Sequence, residues 1–318
     1  LKKTRKRSEN SPNGWVLLNK PINLGSTDCV NILKRMIREA HPEVKPKVGH
    51  AGTLDPLATG VLILALGDAT KLVEYVMHCE KTYVFRVQWG EARDTDDLEG
   101  QVIATSEVRP TKEQIEKILP DFIGTIQQVP PKFSAIKVAG KRAYDIAREG
   151  EEVVLEARPV DIFSLKILMH HGDCTDFVVD CGKGTYVRSL ARDMADKLGT
   201  YGHITMLERS YLGKCGIHDT ITLEKLEELL HNGDPDAWLT PMEWMLDDIP
   251  AWSVPEGVAR RIRHGNDVRL IPERTPPELL ELEQGALIQI HTNGSLLALA
   301  RIEDEGVQPV RVFDFGHG

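Results

Sequence analysis

Within residues 49–60, Gly49-His50-Ala51-Gly52-Thr53-Leu54-Asp55-Pro56-Leu57-Ala58-Thr59-Gly60, a single carboxylate stands beside a proline among three glycines. Glycines let a backbone bend sharply and leave room for a ligand. Asp55 is therefore a candidate for the work one firmly held carboxylate can do, nucleophilic attack or proton abstraction. An Asp-Pro in a glycine-rich stretch is also the composition of an ordinary turn. The apolar run Val61-Leu62-Ile63-Leu64-Ala65-Leu66, stopped by Gly67, argues for the first reading. It predicts a strand buried on both faces, and a loop tied to such a strand keeps its acid in place. The sequence does not carry the motif of a triphosphate cradle. The nearest approach to GxxxxGK[ST], at Gly182-Lys183-Gly184-Thr185, has Phe177 in place of the first glycine and Gly184 in place of the Ser or Thr.

Two other side chains stand out by position. The alternation Phe177, Val179, Cys181 predicts a strand, and Gly182-Lys183-Gly184 turns it into a helix running to Gly199 with Leu190, Met194 and Leu198 on one stripe. Arg188 falls in the first turn of that helix. The helix dipole disfavours a cation there, so a negative partner is the expected reason for it. Arg192, one turn on, reads as a surface residue. Tyr83 opens the apolar face of a period-2 run with Phe85, Val87 and Trp89, and by pattern alone is a core tyrosine.

The elements that must position these residues follow in order. Residues 1–12 carry Lys2, Lys3, Arg5, Lys6 and Arg7 without apolar periodicity and are expected to be a disordered basic arm. Trp15 to Leu18 is a strand ended by Lys20-Pro21. Ser26 or Thr27 is expected to cap a helix whose inner face is Val30, Leu33, Ile37 and Ala40. A single helix is expected over Ala69–Met77, and Arg93 to Gly100 is expected to form a polar loop extending from the sheet. Thr111-Lys112-Glu113-Gln114 is a capping box. His203 to Leu212 reads as a strand, with Leu207 in it as core, and Thr222 to His231 as an amphipathic helix. Past Ile249-Pro250, two apolar runs flank Asn293-Gly294, a strong hairpin signal, so the tail is a small β domain.

The formal net charge of -9 is unevenly spread. Residues 1–50 hold 11 Lys+Arg against 4 Asp+Glu, whereas residues 221–318 hold 8 against 18. Within 131–148, Lys132, Lys137, Lys141, Arg142 and Arg148 face only Asp145. Such runs are often solvated faces, but two basic segments on an acidic chain also suit phosphate contacts at one surface. The five cysteines form no CxxC and no Cys/His ligand spacing, which predicts reduced thiols, a cytoplasmic setting and no structural metal. No stretch has the apolar length of a membrane span, and no secretion signal is read.

The string GHAGTLDPLATGVL resembles the catalytic signature of the bacterial tRNA pseudouridine-55 synthases of the TruB family. Leu18-Asn19-Lys20-Pro21, Lys81-Thr82-Tyr83, Pro130 to Lys137 and Gly184-Thr185-Tyr186-Val187-Arg188 agree in order and spacing. The resemblance covers about residues 14–245 and thins beyond. It implies an α+β fold with a mixed, mainly antiparallel central sheet and flanking helices over 13–248, an RNA-binding insertion at 128–158, and a shortened PUA-like β domain over 249–318. It also implies an activity: uridine in the T loop of tRNA is flipped out and isomerised to pseudouridine by a monomer with no cofactor, metal or obligatory protein partner. Asp55 is then the reacting carboxylate and Arg188 its ion-pair partner. Tyr83 stacks on the base, Tyr186 and Leu207 line the pocket, and His50 fills the space the base leaves. Lys20 belongs to an element beside the site, although a lysine before proline is, read alone, a surface charge. Lys132, Lys137, Lys141 and Arg142 would hold the RNA backbone. Phe133 stands where the relatives usually have tyrosine. A synthase acting on another RNA, and a tRNA-binding or tRNA-folding protein, are the alternatives.

Overall fold

The chain is built around a strand in which every side chain from Val61 to Leu66 is buried, as the uninterrupted apolar run requires. The computed structural model describes residues 12–134, 137–138, 141–142, 155–271, 275–304 and 306–313. In chain order, β1 (Gly14–Lys20), α1 (Ser26–Ala40), β2 (Val48–His50) and β3 (Thr59–Leu66) are followed by α2 (Val73–His78), β4 (Lys81–Trp89), β5 (Glu91–Arg93), β6 (Val102–Thr105), α3 (Lys112–Ile118) and β7 (Gly124–Gln128). The short pair β8 (Lys137–Val138) and β9 (Lys141–Arg142) precedes β10 (Arg158–His170), β11 (Cys174–Cys181), α4 (Val187–Lys197), β12 (Gly202–Leu212), β13 (Cys215–Gly216) and α5 (Leu223–Asn232).

Among the described residues nine of these strands form one sheet in the order β1-β3-β12-β4-β11-β10-β7, with β2 added to β3 and β13 to β12, while β5-β6 and β8-β9 are separate two-stranded pairs. Its pairs are antiparallel except β12 against β3, so the sheet is mixed and mainly antiparallel, as expected. Period-2 alternation sorts β1 and β3 onto two cores. Val16, Leu18, Leu62, Leu64 and Leu66 pack on Cys29, Val30, Leu33 and Ile37 of α1. Trp15, Leu17, Val61, Ile63 and Ala65 pack on Leu72 and Val76 on the opposite face.

That second core is shared with the tail. β14 (Ala251–Ser253), α6 (Glu256–Arg263), β15 (Val268–Arg269), α7 (Pro277–Leu280), β16 (Leu287–Thr292), β17 (Ser295–Glu303) and β18 (Gly306–Val312) make a five-stranded sheet ordered β14-β16-β17-β18-β15. Asn293 (φ 50°) and Gly294 (φ 79°) form the expected hairpin turn. Leu296, Leu299 and Phe313 of this unit lie in the core of Trp15 and Ile63, and Lys71 donates to the Val312 carbonyl at 2.8 Å.

Four local expectations are corrected. Ser26 does not cap α1: Gly25 is the N-cap, its N–H held by Asp28, and the Ser26 hydroxyl serves the 49–60 loop instead. The helix expected over Ala69–Met77 divides at Leu72 into a 3-10 turn, Gly67–Lys71, and α2. The 93–100 segment folds back on β12 rather than extending from the sheet, with the Ile204 N–H donating to Asp96 and the Asp97 side chain buried. Arg192 is only partly exposed and is held by Asp96 and Asp193. The arm expected over 1–12 lies, apart from Pro12, outside the described residues. So does most of the 128–158 insertion, including the side chains of Lys137, Lys141 and Arg142. Among the described residues no helix is long and apolar enough to cross a membrane.

Candidate active site

The loop between β2 and β3 is held from several sides, and each tie has a sequence cause. The Ser26 hydroxyl accepts from the Leu54 N–H at 2.7 Å and donates to the Leu54 carbonyl at 3.0 Å, so one side chain satisfies both backbone groups of the residue before Asp55. Leu54 and Ala58 bury themselves in the α1 core. Asn23 donates its backbone N–H to the Pro56 carbonyl at 2.8 Å. Lys20 has 0% of its surface exposed, and its Nζ donates to the carbonyls of Pro21, Leu24 and Pro56. Burial pushes its ammonium down to about 8. Lys20 is not a surface charge, which corrects that reading, and it lies beside the cleft rather than among its described lining residues. Its wholly buried amine holds the backbone next to Asp55.

Gly60 leaves the loop at φ +96°, where a Cβ would stand 2.3 Å from the Arg209 carbonyl oxygen. Only glycine lets β12 approach β3 this closely. The approach brings the Arg209 side chain under the loop. Its Nε donates to the Val61 carbonyl at 2.8 Å, one terminal nitrogen donates to Gly52 O at 3.3 Å, and the other lies 3.5 Å from the Tyr83 hydroxyl oxygen.

Asp55, about one-third exposed, meets Arg188, whose side chain is only 5% exposed. Arg188 Nε lies 2.9 Å from Asp55 Oδ2 and 3.5 Å from Asp97 Oδ2, and its terminal nitrogens donate to Thr95 O (2.9 Å) and Phe133 O (3.1 Å). The negative partner that the helix dipole demanded is therefore present twice over. Three segments far apart in sequence, the loop, the 93–100 turn and the root of the insertion, converge on one guanidinium. Tyr186, the N-cap of α4, is pinned by Gln128, whose amide exchanges two hydrogen bonds with the Tyr186 backbone.

These groups line a cleft of about 450 Å³. Asp55, Tyr83, Tyr186, Arg188 and Leu207 all lie in its wall, together with Phe133 and Ser134. His50 ends β2 half-buried and is not in the wall, and Lys132 is exposed at the root of the insertion, also outside the wall. Arg209, Lys81 and Lys183 line the cleft as well, so its described wall carries one carboxylate and four cations. Burial and the Arg209 charge push Lys81 down to about 8, and burial raises both tyrosine hydroxyls above their ordinary range. Such a wall suits a polyanionic ligand carrying a planar apolar ring, attacked or deprotonated by a single acid.

Sequence reasoning gave no part to Arg209 or Asp97. Arg209 follows Leu207 at i+2, and a cation in an inward register of a strand is a signal that could have been read. Asp97 sits in a run that looks solvated.

Beside the site, Arg192 binds Asp96 at 2.9 Å and the Val129 carbonyl at 2.8 Å. Burial raises the Asp96 carboxyl to about 6 against the opposing pull of Arg192. The folded protein then holds this proton more tightly than the unfolded chain, so stability falls as pH rises from about 4 to about 6 and is level above. Asp96→Asn is expected to flatten urea-derived stability across that window by about 2 kcal/mol. An unchanged pH slope would remove Asp96 as its source.

Residues 35–187 match the family model described as TruB family pseudouridylate synthase, N-terminal domain, and residues 188–247 match the tRNA pseudouridylate synthase B C-terminal domain. The chain is 47% identical over 315 residues to the tRNA pseudouridine synthase B of Bradyrhizobium diazoefficiens, covering 97% of this chain and 88% of that one. It is 43% identical to that of Sinorhizobium medicae, covering 98% and 99%. Similar solved structures include an archaeal box H/ACA sRNP Nop10-Cbf5 complex (TM-score 0.70, 21% identity, 98% and 94% covered). An H/ACA RNP bound to a substrate RNA containing 2'-deoxyuridine is also similar (TM-score 0.69, 21% identity, 95% and 85% covered). At that identity the likeness is one of fold.

Proposed function

The chain belongs to the TruB family of pseudouridine synthases, enzymes that isomerise uridine to pseudouridine in tRNA, and from that footing we propose that its target is the uridine at position 55 of the T loop and that Asp55 performs the exchange. The single observation that carries this reading is the ion pair of Asp55 with Arg188 inside a cleft walled by Tyr83 and Leu207.

The reaction breaks the bond between uracil N1 and ribose C1′, turns the uracil, and joins its C5 to C1′. A proton leaves C5 and one is gained at N1, so the composition is unchanged. One carboxylate serves as nucleophile or base, and Arg188 keeps it ionised and aimed. Tyr83 offers a flat face that grips a pyrimidine while letting it rotate, and Leu207 closes the other side. Tyr186, held by Gln128 in the cleft wall, is the proposed participant in release of the C5 proton. No redox or phosphoryl step arises, so the protein's own residues suffice for this chemistry.

A base inside a folded loop must be extruded, which costs a few kcal/mol of stacking. His50, next to the loop, is the proposed occupant of the vacated position. The surplus of cations at the cleft, with Lys132, Lys137, Lys141 and Arg142 on the insertion, would hold phosphates of the T-arm stem-loop, recognised mainly by shape. Reversing charge at Lys137 and Lys141 is expected to weaken tRNA binding and lower the salt slope by about 1 to 2. An unchanged slope would take the insertion out of the interface.

Incubation with unmodified tRNA and ribosomal RNA, followed by pseudouridine mapping, tests the reading. Product confined to the T loop supports it. Product in ribosomal RNA alone, or tRNA binding without product, overturns it.

A further inference from the structure

A second and much smaller space, about 20 Å³, adjoins the ion pair and is bordered by Asp55, Asp97, Arg188, Thr205 and Leu207. Thr205 reaches it through a defect in β12. The pairing with β4 runs Ile204 to Val87 and then Met206 to Arg86, which leaves Thr205 as the extra residue of a bulge. Bulges beside active sites re-aim a side chain.

Two residues that border this space each carry a buried polar atom with no hydrogen-bond partner among the described residues, Thr205 Oγ1 and Arg188 Nε. Arg188 Nε is close to both carboxylates, but its N–H is not directed along either line, so the contact is an ion pair rather than an aligned hydrogen bond. Buried donors left in this condition are costly, and native proteins satisfy them. A cavity of roughly 10–15 Å³ accepts one water if two to four polar partners surround it. Here there is room for one, and the bordering residues Thr205, Arg188, Asp55 and Asp97 carry a hydroxyl, a guanidinium and two carboxylates.

We propose that this space is a built site for a single buried water and that Thr205 is a positioning residue acting through it. The water accepts from Arg188 Nε–H and from the Thr205 hydroxyl and donates to the carboxylates of Asp55 and Asp97, which uses all four of its hydrogen-bonding directions. It thereby adds a second tie to the Asp55 carboxylate beside the ion pair with Arg188 and limits its rotation about the side-chain axis. The inference rests on Asp55 being the reacting carboxylate.

The test combines a high-resolution crystal structure with single-turnover kinetics on unmodified tRNA for the wild type, Thr205→Val and Thr205→Ser. Valine keeps the shape and removes the hydroxyl, whereas serine keeps the hydroxyl. Density for one water within hydrogen-bond distance of Thr205 Oγ1 is expected in the wild type and the serine variant. The valine variant is expected to form pseudouridine about tenfold more slowly with tRNA affinity and thermal midpoint unchanged, and serine to restore the rate to within about twofold. A dry space in the wild type, or a valine variant at full rate, overturns the proposal. Should valine prevent folding, the wild-type density and the serine rate still decide it. An active Asp55→Asn protein would instead overturn the assignment of the reacting acid and would leave the water density unaffected.

Discussion

Asp55→Asn is expected to lower single-turnover pseudouridine formation by at least about 10³-fold while tRNA affinity stays within about twofold of the wild type. Asparagine keeps the shape of the side chain and can still accept from a guanidinium, so the loop stays where Ser26, Lys20 and Asn23 hold it. What disappears is the negative charge and the lone pair proposed to attack or deprotonate. The two measurements separate chemistry from binding because the basic surface proposed to meet the RNA is untouched. Retained turnover would remove Asp55 from its role, and lost binding would mean that the substitution had disturbed the cleft.

Arg188→Ala is expected to damage stability and turnover together. It strips the partner from Asp55 and from the buried carboxylate of Asp97, and it leaves the carbonyls of Thr95 and Phe133 without their donor. Removing one member of a buried charge cluster typically costs about 3–5 kcal/mol. The thermal midpoint should fall by about 5–10 °C and turnover by about 10²-fold or more. Arg188→Lys supplies one ammonium where a fork spans three segments, so it should recover part of the midpoint and little of the rate. A wild-type midpoint in the alanine variant would mean that the two carboxylates are held by other groups.

Much of this site was legible because its causes are local. The glycines around Asp55 and the apolar run after it announce a bent loop tied to a buried strand, and β3 is that strand. Arg188 announced itself by standing where a helix repels a cation, and two carboxylates explain it. The Asn293-Gly294 hairpin and the capping box at Thr111 follow rules that need only a few neighbouring residues.

What was not legible is tertiary. Ser26 looked like a helix cap because a serine ahead of an apolar stripe normally is one, and nothing nearby in sequence reveals that Leu54 competes for its hydroxyl. Lys20 was read as exposed because a lysine's burial depends on which carbonyls surround it, here partly supplied by Pro56. The 93–100 turn looked solvated, since Asp96 and Asp97 are neutralised by Arg192 and Arg188 from about a hundred residues away. The hairpin signal gave the tail's sheet but not that Leu296 and Phe313 would share a core with Trp15.

The most direct measurement is a crystal structure of the protein with an unmodified T-arm stem-loop. If Asp55 re-joins the base to its sugar, the target uridine will be out of the RNA stack with its ring against Tyr83 and its C1′ or C6 within about 3.5 Å of an Asp55 carboxylate oxygen. A uridine still stacked in its loop, or one seated in the cleft with another side chain facing its reacting atoms, would contradict that role.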